Sequence, residues 1–251
     1  MMFNLNKTIE VHCYTWRKIN AEEFCIKEMK THRPKWFRDM GKMTETKWNI
    51  PKSSIKHCHG ILELFKRSFY LPLWTDLHIL NEVHDINARS KDSTITVSKH
   101  FDRVNSQAPT LSENHRHLKI DVPWLFECDK DINFFITGAS WDYINNDLYN
   151  FHLPPAILEF KYQPCLNTQW LFPIPFTKEQ ETCISFQAGD PIYYLTPLTD
   201  KKVKFISHHI SRMEYYNKFD ELDSISPFWV NGYAKGKKLK IGKKYKGYRQ
   251  E

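Results

Sequence analysis

Between residues 118 and 198 the chain is broken into short apolar stretches, with a proline or another turn signal every eight to twelve residues. Eight of the thirteen prolines fall between Pro123 and Pro197. Proline inside a helix removes a hydrogen bond and collides with the preceding turn, so this third of the molecule has no room for long helices. Short apolar runs at that cadence mark a sandwich, a jelly roll or a barrel. The expected strands are residues 124–128, 133–137, 157–162, 168–173, 183–187 and 192–196, with Ala188-Gly-Asp-Pro191 as a tight turn before the last.

The N-terminal half is less regular. Residues 8–15 alternate with period two, which places Ile9, Val11 and Cys13 on one face of a strand and His12 and Tyr14 on the other. Residues 21–30 read as a short helix stopped by Pro34, and 34–40 as a turn or short helix anchored by Trp36 and Phe37. Ile61, Leu62, Leu64 and Phe65 predict a helical turn or two, and 69–80 a strand pair or a long strand interrupted at Pro72. Residues 87–92 read as a hairpin connection, 93–98 as a strand and 102–117 as a polar loop. Beyond the last expected strand, Ile210, Met213, Tyr216 and Phe219 recur every third residue, which predicts one helix over 205–222 packed on the sheet.

The fold class that follows is mainly β in the α+β sense: a sandwich or jelly-roll body with a few short helices, one C-terminal helix and a basic tail. Residues 1–232 are expected to form one globular domain, with a sub-division near 100–118 as the alternative, and 233–251 a flexible tail.

Charge separates these two parts. Residues 233–251 hold seven lysines and one arginine against a single glutamate, a balance of +7 that equals the charge of the whole chain. The first 232 residues are therefore neutral, with 28 basic against 28 acidic side chains. A neutral body with a basic end meets anionic partners through that end. Lys235, Lys237, Lys238, Lys240, Lys243, Lys244, Lys246 and Arg249 are the expected partner-binding residues, and Tyr233, Tyr245 and Tyr248 among them suit stacking on bases. Leu239 and Ile241 alternate with lysine and fit addition to a neighbour's sheet edge. No apolar run approaches the roughly 20 residues a membrane helix needs, so no membrane partner is expected.

Few residues suggest reaction chemistry. His57-Cys58-His59 would bring two imidazoles to one side of an extended segment, a weak metal candidate without a third ligand. His115-x-His117 repeats the spacing in the polar loop, and His208-His209 is read at a helix start. Asp76 and His78, beside Trp74 on one strand face, form a candidate acid–base pair, and Glu159 is a further carboxylate candidate near Tyr162. The six cysteines form no Cys-x-x-Cys pair and are read as buried free thiols. The phosphate-binding and hydrolase motifs of the common nucleotide-dependent and hydrolytic enzymes are absent. No cofactor is expected.

Four blocks, SIKHCHGILELFKRSFYLPLWTDLHI, IDVPWLFECDKDINFFI, PAILEFKYQPCLNTQWLFP and ISFQAGDPIYYLTPL, resemble an uncharacterised family of proteins from marine tailed phages, over about residues 8–200. His59-Gly60 and Asp131-Ile132 depart from the family's turn residues. A more distant similarity is to the β-clip of dUTPase-like proteins, through the Gly-Asp turn before an apolar strand in residues 186–195. The uridine-reading pattern of those enzymes is missing, since Pro155-Ala-Ile-Leu-Glu159 lacks both its glycine and its aspartate. The resemblance implies a viral protein with a β-clip-like shape and carries no catalytic residue over. The resulting expectation is a non-enzymatic phage protein, a virion structural or assembly component whose tail docks on a neighbouring subunit or on nucleic acid, located in the virion or the host cytoplasm. The alternative is a small-ligand or nucleotide-binding enzyme of β-clip type acting inside the infected cell.

Overall fold

A computed structural model describes residues 8–45, 50–90, 97–99, 114–143 and 149–222. In chain order the strands are β1 (Ile9–Thr15), β2 (Lys27–Glu28), β3 (Met43–Glu45), β4 (Pro51–Ser53), β5 (Phe69–Pro72), β6 (Leu77–Asn81), β7 (Ile86–Ser90) and β8 (Val97–Lys99). They continue with β9 (His115–Glu127), β10 (Phe134–Gly138), β11 (Ala156–Leu158), β12 (Cys165–Pro173), β13 (Thr182–Phe186), β14 (Pro191–Pro197) and β15 (Val203–His209). The helices are α1 (Lys18–Glu23), α2 (Lys35–Asp39), α3 (His59–Arg67), α4 (Ser140–Tyr143) and α5 (Arg212–Leu222).

One sheet runs β12-β9-β1-β15, with β8 also paired to β9; a second runs β11-β10-β14-β5-β2. A third is β13-β6-β7, and β3 pairs with β4. The chain is mainly β with few, short helices, as its proline cadence predicts. All described strand pairs are antiparallel except β1 and β15, which run parallel in unbroken register from Ile9↔Val203 to Thr15↔His209.

The two large sheets share one core. β12 alternates without a fault and sends Leu166, Thr168, Trp170 and Phe172 inward. Its buried hydroxyl is satisfied twice: Thr168 donates to the Ile120 carbonyl at 3.0 Å and accepts from Trp170 Nε1 at 2.8 Å. Between the sheets the rings of Phe126 and Phe160 stack at 4.6 Å, and Phe134 lies 5.0 Å from Phe160 and 5.6 Å from Phe205. Offset and tilted rings at these spacings use the favourable quadrupole geometry of aromatic pairs. β5 is buried at every position because its other face carries a second core, in which Tyr70 and Tyr194 pack with Met29, Phe37 and Phe65. A strand covered on both sides reads as a continuous apolar run, which is why 69–74 shows no alternation.

The expected turn at 188–191 is present and built around Gly189, whose φ of 98° only glycine adopts without strain. Ala188 N–H donates to Asp76 Oδ1 and Gln187 N–H to Asp190 Oδ2, so two carboxylates hold this turn.

Several expectations fail for identifiable reasons. The helix over 21–30 is α1 at Lys18–Glu23 followed by β2, which joins the edge of the second sheet. β5 and β6 are separate strands as Pro72 predicts, but they lie in different sheets. Residues 86–90 are not a hairpin connection: they form β7, and the turn falls earlier, at 82–85. His115-x-His117 opens the long strand β9 instead of ending a loop, and His117 is buried against Gln169. β11 ends at Leu158, where a turn takes over and Tyr162 and Gln163 both donate to the Glu159 carbonyl. The largest error is 205–222, where strand β15 ends at His209 and α5 begins only at Arg212. Local three-residue spacing hid a strand whose alternation, Val203, Phe205 and Ser207 against Lys204, Ile206 and His208, becomes meaningful once β1 is its partner. α5 turns Tyr215, Lys218 and, as expected, Phe219 toward the sheet, but it leaves Met213 and Tyr216 of the expected face exposed.

The cysteines are free, but only Cys13 and Cys128 are buried; Cys58 and Cys183 are exposed.

Candidate functional site: a histidine-lined cleft on the first sheet

Parallel pairing puts Tyr14 opposite His208 and His12 opposite Ile206, all on the face of the first sheet that points away from the core. There His12 Nδ1 and His208 Nε2 approach to 2.9 Å, and the rings of Tyr14 and His208 stack at 4.8 Å. Tyr14 donates its hydroxyl to Glu127 Oε2 at 3.0 Å. α5 closes over this group: Lys218 Nζ reaches the same Glu127 oxygen at 2.9 Å and sits 4.2 Å from the centre of the Tyr14 ring.

Beside them opens a cleft of about 530 Å³, whose walls include His12, Tyr14, Glu127, Asp129, Lys130 and Lys161. Glu127 is partly buried, which opposes ionisation, but the hydrogen bonds from Lys218 and Tyr14 prevail and hold its pKa below the usual carboxylate range. Burial, followed by the hydrogen bond to Glu127, pushes the Tyr14 phenol up. The Lys161 ammonium is raised chiefly by its hydrogen bond to Asp131, at 2.7 Å. Burial, with His12 and Lys218 adding positive charge nearby, lowers the His208 pKa.

A bond between two imidazoles needs one donor and one acceptor, so it survives only while at least one ring is neutral. With His208 held neutral, His12 turns one nitrogen to its partner and has its Nε2 without a hydrogen-bond partner among the described residues. A positioned imidazole with a coupled neighbour can take up and give back a proton to something bound in the cleft.

The pH dependence has a definite sign. His208 binds protons less readily folded than unfolded, so its contribution to stability is present above its unfolded pKa of about 6.5 and is lost as pH falls from there through its lower folded pKa. Glu127 adds a second loss at lower pH, below about 4.3, because its folded pKa is also depressed. Melting temperature is therefore expected to fall between pH 7.5 and 5.5, by about 2 °C since solvent screens a half-exposed ring. In His208→Gln that loss should vanish, as differential scanning fluorimetry across the pH range will show; an equal acid loss in the variant would assign it elsewhere.

The residues picked from sequence alone lie apart from this cleft. His78 is exposed and bonds Ser185 Oγ at 2.8 Å, while Asp76 accepts from the Ala188 N–H, so the expected acid–base pair does not form. Asp76 precedes β6 and is drawn to the 187–190 turn, which breaks the strand alternation that would have joined them. Glu159 follows β11 instead of standing within a strand. His57 ends a 3-10 turn and His59 begins α3, both exposed; helical geometry separates rings that an extended segment would align. Among the described residues no group of three or more histidine, cysteine or acidic side chains is placed to hold a metal. A carboxylate–imidazole pair exists elsewhere: Asp142 Oδ1 meets His32 Nε2 at 2.8 Å while Asp142 Oδ2 accepts from the Tyr194 hydroxyl, tying α4 to the second sheet. Lys235, Lys237, Lys238, Lys240, Lys243, Lys244, Lys246 and Arg249 lie outside the described residues. No described helix is long and apolar enough to cross a membrane.

The cluster was missed because His12 and His208 are 196 residues apart and meet only through the β1–β15 pairing. No protein-family model matches the sequence, and no curated protein does.

Proposed function

We propose that this chain is a non-enzymatic phage protein, a component of the particle or of its assembly, whose basic C-terminal segment docks on an anionic partner, a neighbouring subunit or packaged nucleic acid. One observation carries the reading: a neutral 232-residue body is followed by a segment that holds the entire net charge of +7. The body offers a rigid platform of densely packed aromatic residues, and the segment interleaves tyrosines with its cations, the mixture that grips phosphates and stacks on bases. Resemblance of the four sequence blocks to marine phage proteins supports the viral setting.

Replacing Lys243, Lys244 and Lys246 together with glutamine should weaken binding of a single-stranded oligonucleotide about tenfold at low salt. The salt dependence should also flatten, by about 0.7 in logarithmic slope for each phosphate contact removed. Fluorescence anisotropy over a salt series measures both. Unchanged affinity and slope would reject nucleic acid as the partner of this segment, and absence of the chain from purified particles by mass spectrometry would reject the particle component.

A second reading, a small-ligand or nucleotide site acting inside the infected cell, is favoured by His12, which lines a 530 Å³ cleft and is coupled to His208 behind it.

A further inference from the structure

The body is neutral as a whole, yet its charges are not evenly spread. Where α3 ends, the loop after β14 and the chain around β2 converge on a cavity of about 280 Å³. Lys30, Lys66, Arg67, Lys201 and Lys202 line it, against the carboxylates of Glu28 and Asp200. Five cations from three separate segments facing one depression in a neutral body make a local positive field, which concave low-dielectric walls strengthen.

The backbone beneath them is fixed. Arg67 Nη2 donates to the Thr199 carbonyl at 3.0 Å and to Asp200 Oδ1 at 2.7 Å. Lys201 N–H returns to Thr199 Oγ1 at 3.2 Å, and the Lys202 carbonyl accepts from Ile9 N–H at 2.8 Å. The 199–202 loop is thus pinned on both sides, and it holds two lysines whose ammonium groups have no ion-pair or hydrogen-bond partner among the described residues. Of the other cations, Lys66 pairs with Glu63 at 3.3 Å and Lys30 with Glu28. The Arg67 partner Asp200 is fully exposed, and solvent screening keeps an exposed pair of this kind weak, so a stronger anion can displace it.

A second hollow of about 460 Å³ shares Arg67, Pro197, Thr199 and Asp200 with the first and adds Gly60, Leu64 and Leu198. Leu198 is 55 % exposed. The two together form one groove, cationic at one end and mixed at the other, where Leu64 and Leu198 stand beside Glu63 and Thr196, with the Arg67 guanidinium between them. Guanidinium binds phosphate oxygens in pairs, and lysines add point charge around them.

We propose that this groove is a binding site for a phosphate ester, with the phosphate held by Arg67, Lys201 and Lys202 and its organic part against Leu64 and Leu198. The phosphate can belong to a free nucleotide or to the backbone of a nucleic acid, and the chemistry at Arg67 is the same. All the residues assigned to the site precede the C-terminal segment in the chain, so the two can be varied separately by experiment.

The full chain, the full chain with Lys201→Glu and Lys202→Glu, and the full chain with Lys243→Gln, Lys244→Gln and Lys246→Gln should be titrated by calorimetry with adenosine monophosphate and with inorganic pyrophosphate. A short single-stranded oligonucleotide forms the third arm. The 201/202 side chains are surface-exposed, so their replacement leaves folding intact; circular dichroism checks this. Saturable one-to-one binding of adenosine monophosphate or pyrophosphate that weakens at least tenfold in the 201/202 variant, and persists in the 243/244/246 variant, establishes a site for a free phosphate ligand. Loss confined to the oligonucleotide, with a salt slope shallower by about 1.4 for two contacts, establishes the same site as a nucleic-acid phosphate seat. Failure of the unmodified chain to bind any probe, or equal binding by the 201/202 variant, overturns the proposal and leaves the docking role of the C-terminal segment to its own test.

Discussion

Replacing Phe134 with alanine is expected to lower the free energy of unfolding by about 3–5 kcal/mol, read as a shift of the urea midpoint at constant slope. Phe134 sits on β10 with no solvent exposure, and its ring meets Phe160 and Phe205, so it bridges the two large sheets. Truncation removes the transfer free energy of a benzyl group and leaves a void lined by rings that are themselves held: Phe160 by Phe126, and Phe205 by Phe69. A void whose walls cannot collapse is the costly kind. Phe134→Leu keeps most of the volume and should cost less than about 1.5 kcal/mol. With total stabilities of about 5–15 kcal/mol for domains, the alanine variant should be near its unfolding threshold at 37 °C. A loss below about 1 kcal/mol in that variant would contradict the packing of the sheets against each other.

Arg116→Met is expected to cost about 2–3 kcal/mol, and to do so locally. From β9 the guanidinium reaches the turn between β6 and β7 and donates to the carbonyls of Val83 at 2.6 Å and Asp85 at 2.8 Å, to the Glu82 carbonyl, and to Asn81 Oδ1 at 3.1 Å. Burial lowers its pKa somewhat, while Asp85 and Glu82 oppose that, and the fork remains charged. Methionine retains an apolar stem and removes every donor, so the carbonyls that converge on one cation repel one another instead. Hydrogen exchange should therefore quicken at the Glu82 amide, which bonds the Asp85 carbonyl at 2.9 Å, while amides in β12 keep their protection. Arg116→Lys should recover only part of the loss because an ammonium cannot span the same acceptors. Uniform loss of protection throughout the sheets would assign Arg116 a global role and reject the local one.

The sequence disclosed the class of fold because proline and alternation are local signals. β1, β10, β12, β13 and β14 could each be placed from their own residues, as could the Gly189 turn. What stayed hidden depends on partners. β7 lacks a run of apolar residues, yet pairs with β6 because the turn at 82–85 is fastened by Arg116, some thirty residues downstream. β15 carries Ser207, His208 and His209 where a buried strand would carry valine, and it is strand only because β1 offers it an edge. The same dependence explains the candidate cleft. His12 was assigned correctly to the outer face of β1, but nothing near it in the chain marks His208, Glu127 or Lys218 as its neighbours. Conversely, Asp76 with His78 and His57 with His59 were paired by short spacing, and a turn and a helix start moved them apart.

The parallel pair of β1 and β15 joins the first described strand to the last, and this orders events during synthesis. A hairpin strand finds its neighbour within a few residues, whereas the outer edge of β1 stays bare until residue 209 has left the ribosome. Until then its amides and carbonyls face water or a foreign strand, and every nascent chain passes through an interval in which it can be captured by another copy. Closure of so long a loop also makes the final step slow by comparison with local pairing. The His12–His208 pair comes into being only at that step, so the cleft that His12 lines gains its coupled imidazole after the body beneath it is built.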